Sequence, residues 1–255
     1  MEISLTKIIS AVMVIGLRVS GLMLFAPFFA SGSIPPRVKI VLVLAITAVL
    51  YPVFSPQLSS VAISHWPTVA ASETLLGIAM GLATNAVFEA VQIGGQMLSV
   101  QMGYSLVNIL DPNTQVESTV VATFHQILAM YIFLALDVHH WILRAIARSF
   151  QYLPPGTATV NPMFTKTLMH EGAIVLELGI QIAAPVLAAT LLMDVVLGLL
   201  GKASPQMPLM LLGPAVKSML GVLILAATIG FWPRLFERYF SQSIAYSEQV
   251  LHLAH

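Results

Sequence analysis

The chain has 255 residues, of which 58% are hydrophobic and only 9% charged, against about a quarter charged in an ordinary soluble domain. Eleven basic and eleven acidic side chains cancel, so no basic field points to nucleic acid. The absence of cysteine excludes disulfides, thiolate metal sites and a cysteine nucleophile.

The first apolar run extends from about Ile8 to Ala30, is interrupted by Arg18 and Pro27, and ends in the turn Ser31-Gly32-Ser33-Ile34-Pro35-Pro36. Only Lys7 precedes it and no small-x-small site closes it, so it is expected to be retained and not cleaved as a signal. Arg37 and Lys39 form a basic pair at a membrane edge. Val38 to Tyr51 is a second run, short for a span of about 20 residues. It is left to extend through Val53 and Phe54, to tilt, or not to cross.

A polar connection, Pro52 to Pro67, leads into a stretch of helical character reaching Gly103, roughly 55 Å at the helical rise. The hydrocarbon core is about 30 Å thick, so this helix must break near Gly94-Gly95, bend back, or project beyond the bilayer. Glu73, Gly77, Gly81 and Asn85 recur at every fourth position, and Glu89, Gln92 and Gln96 continue the stripe. Gly77 and Gly81 make a GxxxG pattern, which permits close helix approach where apolar attraction cannot drive association.

The stretch Gly94 to Gln115 is where this apolar helix gives way to a polar turn. Gln92, Gln96, Gln101 and Asn108 carry amides through an apolar region, and an amide buried without a partner costs roughly 1 to 3 kcal/mol. Asp111-Pro112-Asn113 then stops the chain. A pore, a gate or a partner is expected here.

Val120 to Leu136 is a fourth run, closed by Asp137-Val138-His139-His140-Trp141 and followed by an amphipathic piece, Ile142 to Tyr152, with Arg144 and Arg148 one turn apart. Adjacent helical positions diverge by about 100°, so one cation would hardly meet both histidines, and an interfacial Trp/His cap is expected instead. Residues 157 to 167 read as a loop. A second overlong helix runs from about Leu168 to Leu200 and carries Glu171, Glu177, Gln181, Pro185 and Asp194. After a turn at Gly201 to Gln206, Leu209 to Trp232 is the last run, containing Pro214 and Lys217, and residues 233–255 form an amphipathic tail of the kind that lies on an interface or a partner. With six crossings, the distribution of Lys and Arg puts both termini in the cytoplasm.

Arg18, Glu73, Glu89, Glu177, Asp194 and Lys217 lie inside apolar segments, where an unpaired charge costs on the order of 2.5 to 3.5 kcal/mol or more. Such a set is expected to be paired, near segment ends, or turned to a subunit or water. No enzyme motif is present: His170-Glu171 is not continued to HExxH, and there is no GxSxG, P-loop or GxGxxG. Asp194 is the only aspartate deep in an apolar run, so a facing aspartate pair is absent too.

The ordered set Arg18-Val19-Ser20-Gly21, Ile34-Pro35-Pro36-Arg37-Val38-Lys39, Glu73-Thr74-Leu75-Leu76-Gly77, Gly94-Gly95-Gln96, Gln101-Met102-Gly103-Tyr104-Ser105, Asp111-Pro112, Leu136-Asp137-Val138-His139-His140, Pro154-Pro155-Gly156, Ala184-Pro185-Val186 and Pro205-Gln206 resembles the FliR family over nearly the whole chain. The chain departs from that pattern after Gln206, where it reads Met207-Pro208-Leu209. The resemblance implies one all-α, membrane-associated domain over 1–255, with about six apolar helical segments, two of them overlong. It implies an export-gate subunit of the type III secretion system in the bacterial inner membrane and flagellar basal body. FliP-like and FliQ-like subunits, an FlhB-like and an FlhA-like protein, unfolded export substrates and membrane lipid are the implied partners; no cofactor and no metal are implied.

By the same resemblance Gly103, Tyr104, Ser105, Leu106, Val107, Asn108, Asp111 and Pro112 belong to a loop that plugs the channel. Arg18, Glu73, Gly77, Gly81, Asn85, Glu89, Gln96, Gln101, Pro185, Asp194, Pro205, Gln206 and Lys217 are candidates for helix packing or partner contact. An injectisome homologue, a secondary transporter for a small solute and a scaffold without a channel are the competing readings.

Overall fold

The computed structural model describes residues 5–30, 32, 34–55, 66–104, 119–154, 162–204, 206 and 209–253, and over these residues the chain is helical, without a strand. Helix α1 (Leu5–Phe25) stops short of the expected Ala30 because Pro27 forces the residue before it out of the helical region; Phe28 follows with a left-handed φ of 70°. Helix α2 (Pro36–Phe54) starts on a proline that lacks an N–H the first turn would not use anyway. It continues through Pro52 to 19 residues, the longer of the sequence alternatives.

Helix α3 (Trp66–Gln101) is 36 residues long and passes through Gly94-Gly95 without a break. Helix α4 (Val120–Ala135) is followed by a turn at Leu136-Asp137, where Asp137 takes a left-handed φ of 54° and precedes helix α5 (Val138–Tyr152). Thus α5 begins four residues before the expected Ile142. Helix α6 (Pro162–Ala203) reaches 42 residues; Pro162 opens it, so the second half of the expected loop lies in its first turns. Helix α7 (Leu209–Thr228), a single 3-10 turn (Ile229–Phe231) and helix α8 (Trp232–Leu253) complete the order.

Among the described residues, five helices are long and apolar enough to cross a membrane, or six if α4 and α5 count as one broken span. The chain divides into two compact units, one of Met1–Ala86, Leu136–Gly172 and Phe240–His255, the other of Val87–Ala135 and Ala173–Tyr239.

In the first unit α1 and the beginning of α3 meet backbone to backbone. A Cβ on Gly21 would lie 2.5 Å from the Thr74 carbonyl oxygen, one on Gly77 would fall onto the Arg18 carbonyl, and one on Gly81 would lie 2.7 Å from the Leu22 carbonyl oxygen. The glycines therefore set the separation of the two helices. Ile15, Leu22, Met80, Ile142, Ile146, Phe150 and Phe240 are fully buried in this unit, and the Ser243 hydroxyl donates to the Ala83 carbonyl.

In the second unit the two adjacent glycines of α3 serve two neighbours. A Cβ on Gly94 would lie 2.8 Å from the Gly179 carbonyl oxygen of α6, and one on Gly95 would lie 2.6 Å from the Cα of Ala122 in α4. Adjacent helical residues point about 100° apart, so the pair lets α6 and α4 approach α3 on two faces at once. Packing on both sides offsets the roughly 1 kcal/mol that each glycine costs a helix interior, which is why the helix does not break there. Leu98, Met102, Ala183 and Val186 form the buried centre of this unit, with Tyr104, Val121 and Ile224 packed around it.

Candidate functional site

The end of α3 is built by Gly103. Its φ of 87° is available to glycine without a Cβ penalty, and it lets Tyr104 N–H reach the Ser99 carbonyl at 2.9 Å and Gly103 N–H the Val100 carbonyl at 3.1 Å. These two bonds are the pair that satisfies the last carbonyls of a helix closed by a left-handed glycine. The helix thus ends at Gln101, well before Asp111-Pro112. A Cβ on Gly103 would also press against Pro214 Cβ at 3.0 Å, so space and backbone conformation both require glycine here.

Around this end lies a polar cluster in otherwise apolar surroundings. Gln101 Nε2 donates to Asp194 Oδ2 at 3.1 Å, and Lys217 forms an ion pair with Oδ1 of the same aspartate. The Tyr104 hydroxyl and the Ser218 hydroxyl are 2.6 Å apart. Gln101 and Tyr104 belong to the last turn of α3 and its cap, Asp194 to α6, and Lys217 and Ser218 to α7. Where the chain resumes, the Thr119 hydroxyl pairs with Ser99 of α3 and accepts from the Ala122 N–H at 3.4 Å. The residues that enter and leave the segment 105–118 are therefore both tied to the same end of α3.

The second constellation lies in the first unit. Arg18 and Glu73 are fully buried and form an ion pair at 2.7 Å. The guanidinium also donates to Ser149 Oγ at 3.1 Å and to the Leu153 carbonyl at 3.2 Å, and its carbon sits 4.3 Å from the centroid of the Phe150 ring. Arginine's five N–H donors in a planar fork suit this convergence of carboxylate, hydroxyl, carbonyl and ring face. It joins α1, α3 and the end of α5.

Of the residues singled out from the sequence, the structure thus brings together Arg18 with Glu73, Gly77 and Gly81 with the backbone of α1, and Gln101, Asp194 and Lys217 with one another. Asn85 is half-buried, and Glu89, Gln96 and Gln206 are exposed. Pro185 sits inside α6, which runs through it. Ser105, Leu106, Val107, Asn108, Asp111, Pro112 and Pro205 lie outside the described residues.

Several partners were not legible. Ser149, Ser218, Ser99 and Thr119 resemble the many hydroxyls that bond only to their own helix, as Thr84 does to Met80 and Thr190 to Val186. His125 is buried with Nδ1 donating to the Val121 carbonyl at 2.7 Å and its ring 4.8 Å from that of Trp232. Asp137, His139 and His140 differ from the sequence expectation: their candidate ligand atoms all lie within 4.8 Å of one another, and the two histidine rings are 4.1 Å apart. The left-handed turn at Asp137 carries its carboxylate back over the first turn of α5, 3.4 Å from His140 Nδ1.

Residues 9–243 match the model of a family described as bacterial export proteins, family 1. Curated proteins similar to the chain include the flagellar biosynthetic protein FliR of Escherichia coli (strain K12), 29% identical over 230 residues that cover 89% of this chain and 87% of that protein. The flagellar biosynthetic protein FliR of Bacillus subtilis (strain 168) is 25% identical over 253 residues, covering 98% of each chain. That of Aquifex aeolicus (strain VF5) is 24% identical over 216 residues, covering 83% of this chain and 82% of that protein.

Proposed function

The chain belongs to the bacterial export proteins, family 1, and from this premise we propose that it is a subunit of the flagellar type III protein export gate, where it contributes a loop that plugs the channel. The observation that carries the reading is the extent of the likeness, which covers 98% of this chain and of its Bacillus relative. A gate subunit's role is thereby proposed for the whole molecule and not for a borrowed part. The flagellar names of the relatives favour the flagellar over the injectisome system.

In this reading the gate forms with FliP-like and FliQ-like subunits, contacts FlhB-like and FlhA-like proteins, and passes unfolded substrates at the inner membrane of the flagellar basal body. The segment Gly103 to Asp111 is the plug. Gln101, Asp194, Lys217 and Ser218 hold its stem at the end of α3, so substrate engagement displaces the segment and not its base.

The apolar surface supports an assembly. Of the most apolar 18 residues of α2, and of those within Leu212–Tyr246, only 11% are buried within this chain, against 61% of those within α3. Apolar helices this exposed need lipid or other subunits to cover them.

The test is ion conductance of membranes carrying the assembled gate. Deleting Ser105 to Ile109 is expected to raise the leak of small ions in the absence of substrate. An unchanged conductance, with the complex intact, overturns the plug reading.

A further inference from the structure

Asp137 holds the turn before α5 in the left-handed region, with a φ of 54°, and its carbonyl oxygen accepts from the His140 N–H at 2.9 Å. The turn carries its carboxylate back over the start of the helix. There Oδ1 lies 3.4 Å from His140 Nδ1 and 3.9 Å from His139 Nε2. The two imidazole rings lean together, with centroids 4.1 Å apart and planes 38° from parallel. Each of the three residues thus offers one ligand atom, all within 4.8 Å of one another. Adjacent helical residues leave the backbone about 100° apart, but the imidazoles are long enough to close that divergence beyond their Cβ atoms.

We propose that Asp137, His139 and His140 bind a divalent transition-metal ion of the zinc type. Two imidazole nitrogens and a carboxylate oxygen are donors of open zinc sites, which keep water in the fourth place. With bonds of about 2.1 Å, a tetrahedral ion holds its ligands about 3.4 Å apart. The His140 and Asp137 atoms already stand at 3.4 Å, and the His139 nitrogen at 3.9 Å closes the rest by a small side-chain rotation. The Asp137 and His140 side chains are 67% and 56% exposed, which leaves them room to turn and gives the ion access from solvent. The amino end of α5 opposes a cation, so the carboxylate is needed as much as the imidazoles. Magnesium and calcium prefer oxygen donors throughout and fit this set poorly. A bound ion ties the turn to the first turn of α5, both within the first unit. The site does not depend on the export reading.

The experiment uses the full-length chain without a histidine tag, in mild detergent and a buffer that does not chelate metals. Zn²⁺ is titrated in competition with a chromogenic chelator, and one ion per chain is expected to bind. Co²⁺ in its place is expected to give the visible absorption of a four-coordinate site. Asp137→Asn removes the charge and keeps a residue that tolerates left-handed backbone, and His140→Ala changes an exposed position. Each of these, and His139→Ala, is expected to weaken binding by at least about tenfold, since even residues that only orient a ligand cost that much. Zn²⁺ is expected to raise the thermal stability of the wild type and not of the variants, because an ion that binds the folded chain stabilises it by its occupancy.

His252→Ala with His255→Ala removes another two histidines and is expected to leave the affinity unchanged. Far-ultraviolet circular dichroism checks that each variant remains helical. Undiminished binding in both Asp137→Asn and His140→Ala overturns the proposal, and so does an equal loss in the His252/His255 variant, which would place the ion elsewhere. Displacement of Zn²⁺ by Mg²⁺ at equal concentration, or saturation only above about 1 mM, a free energy of binding of only about 4 kcal/mol, would also overturn it.

Discussion

Arg18 stands in the middle of an apolar helix, with Glu73 found 55 residues later in the chain and both side chains withdrawn from solvent. Such a pair repays the loss of hydration only if its geometry is good and its remaining donors are satisfied; Ser149, the Leu153 carbonyl and the Phe150 ring supply that. Replacing Arg18 by alanine should lower stability by about 3 to 5 kcal/mol, because the buried Glu73 carboxylate would lose the guanidinium it is paired with. The fraction of protein remaining soluble and helical after heating in mild detergent checks this. A loss no larger than that of Arg37→Ala at an exposed position would show that the pair does not hold the first unit together. Gly77→Val should cost about 1 to 3 kcal/mol by the same assay, since its Cβ meets backbone of α1 that cannot move aside as a flexible side chain would. The sequence marked Arg18 and Glu73 as charges needing an answer, yet nothing in their spacing named each other or Ser149 as the answer.

At the scale of the element, α3 carries the two constellations at opposite ends, Glu73 near its beginning and Gln101 at its last residue. Its length and its glycines were readable, but their consequence was not: Gly94 and Gly95 suggest a break in one dimension and prove to be contact points in three. The anchor at its end should be weaker than the buried pair, because the Lys217 and Asp194 side chains are 20% and 40% exposed and solvent screens them. A partly exposed pair is worth up to about 1 kcal/mol, so Lys217→Gln should shift the closed-to-open balance of the proposed gate by about fivefold. Ion leak through the assembled gate reads that shift. Exchanging the two charges, with Asp194→Lys and Lys217→Asp in one chain, should restore the wild-type leak if the pair itself is what holds the stem. A leak on changing Asp194 but not on changing Lys217 would assign the effect to Gln101's bond with Asp194 and not to the ion pair.

For the molecule as a whole, the uncovered apolar helices bear most directly on how the chain exists in the cell. Val41, Leu44 and Val49 of α2, Leu192 and Leu199 of α6, and Met219 and Leu223 of α7 are all more than half exposed. Native mass measurement should find the chain in a discrete large complex when it is produced with FliP-like and FliQ-like partners, and poorly behaved when produced alone. A stable, monodisperse assembly of this chain alone, indifferent to partners, would favour the transporter reading. The sequence by itself determined the membrane class, the helical fold, the two overlong helices and the family likeness, because apolar runs, proline punctuation and ordered local motifs are properties of neighbours along the chain. Only the tertiary structure decided that Arg18 answers Glu73 and Ser149, that Gly94 and Gly95 face different helices, and that Asp194, Lys217 and Ser218 gather at the end of α3. Those pairings join residues tens to more than a hundred positions apart, and the direction in which each side chain leaves its helix is fixed by packing against the other helices.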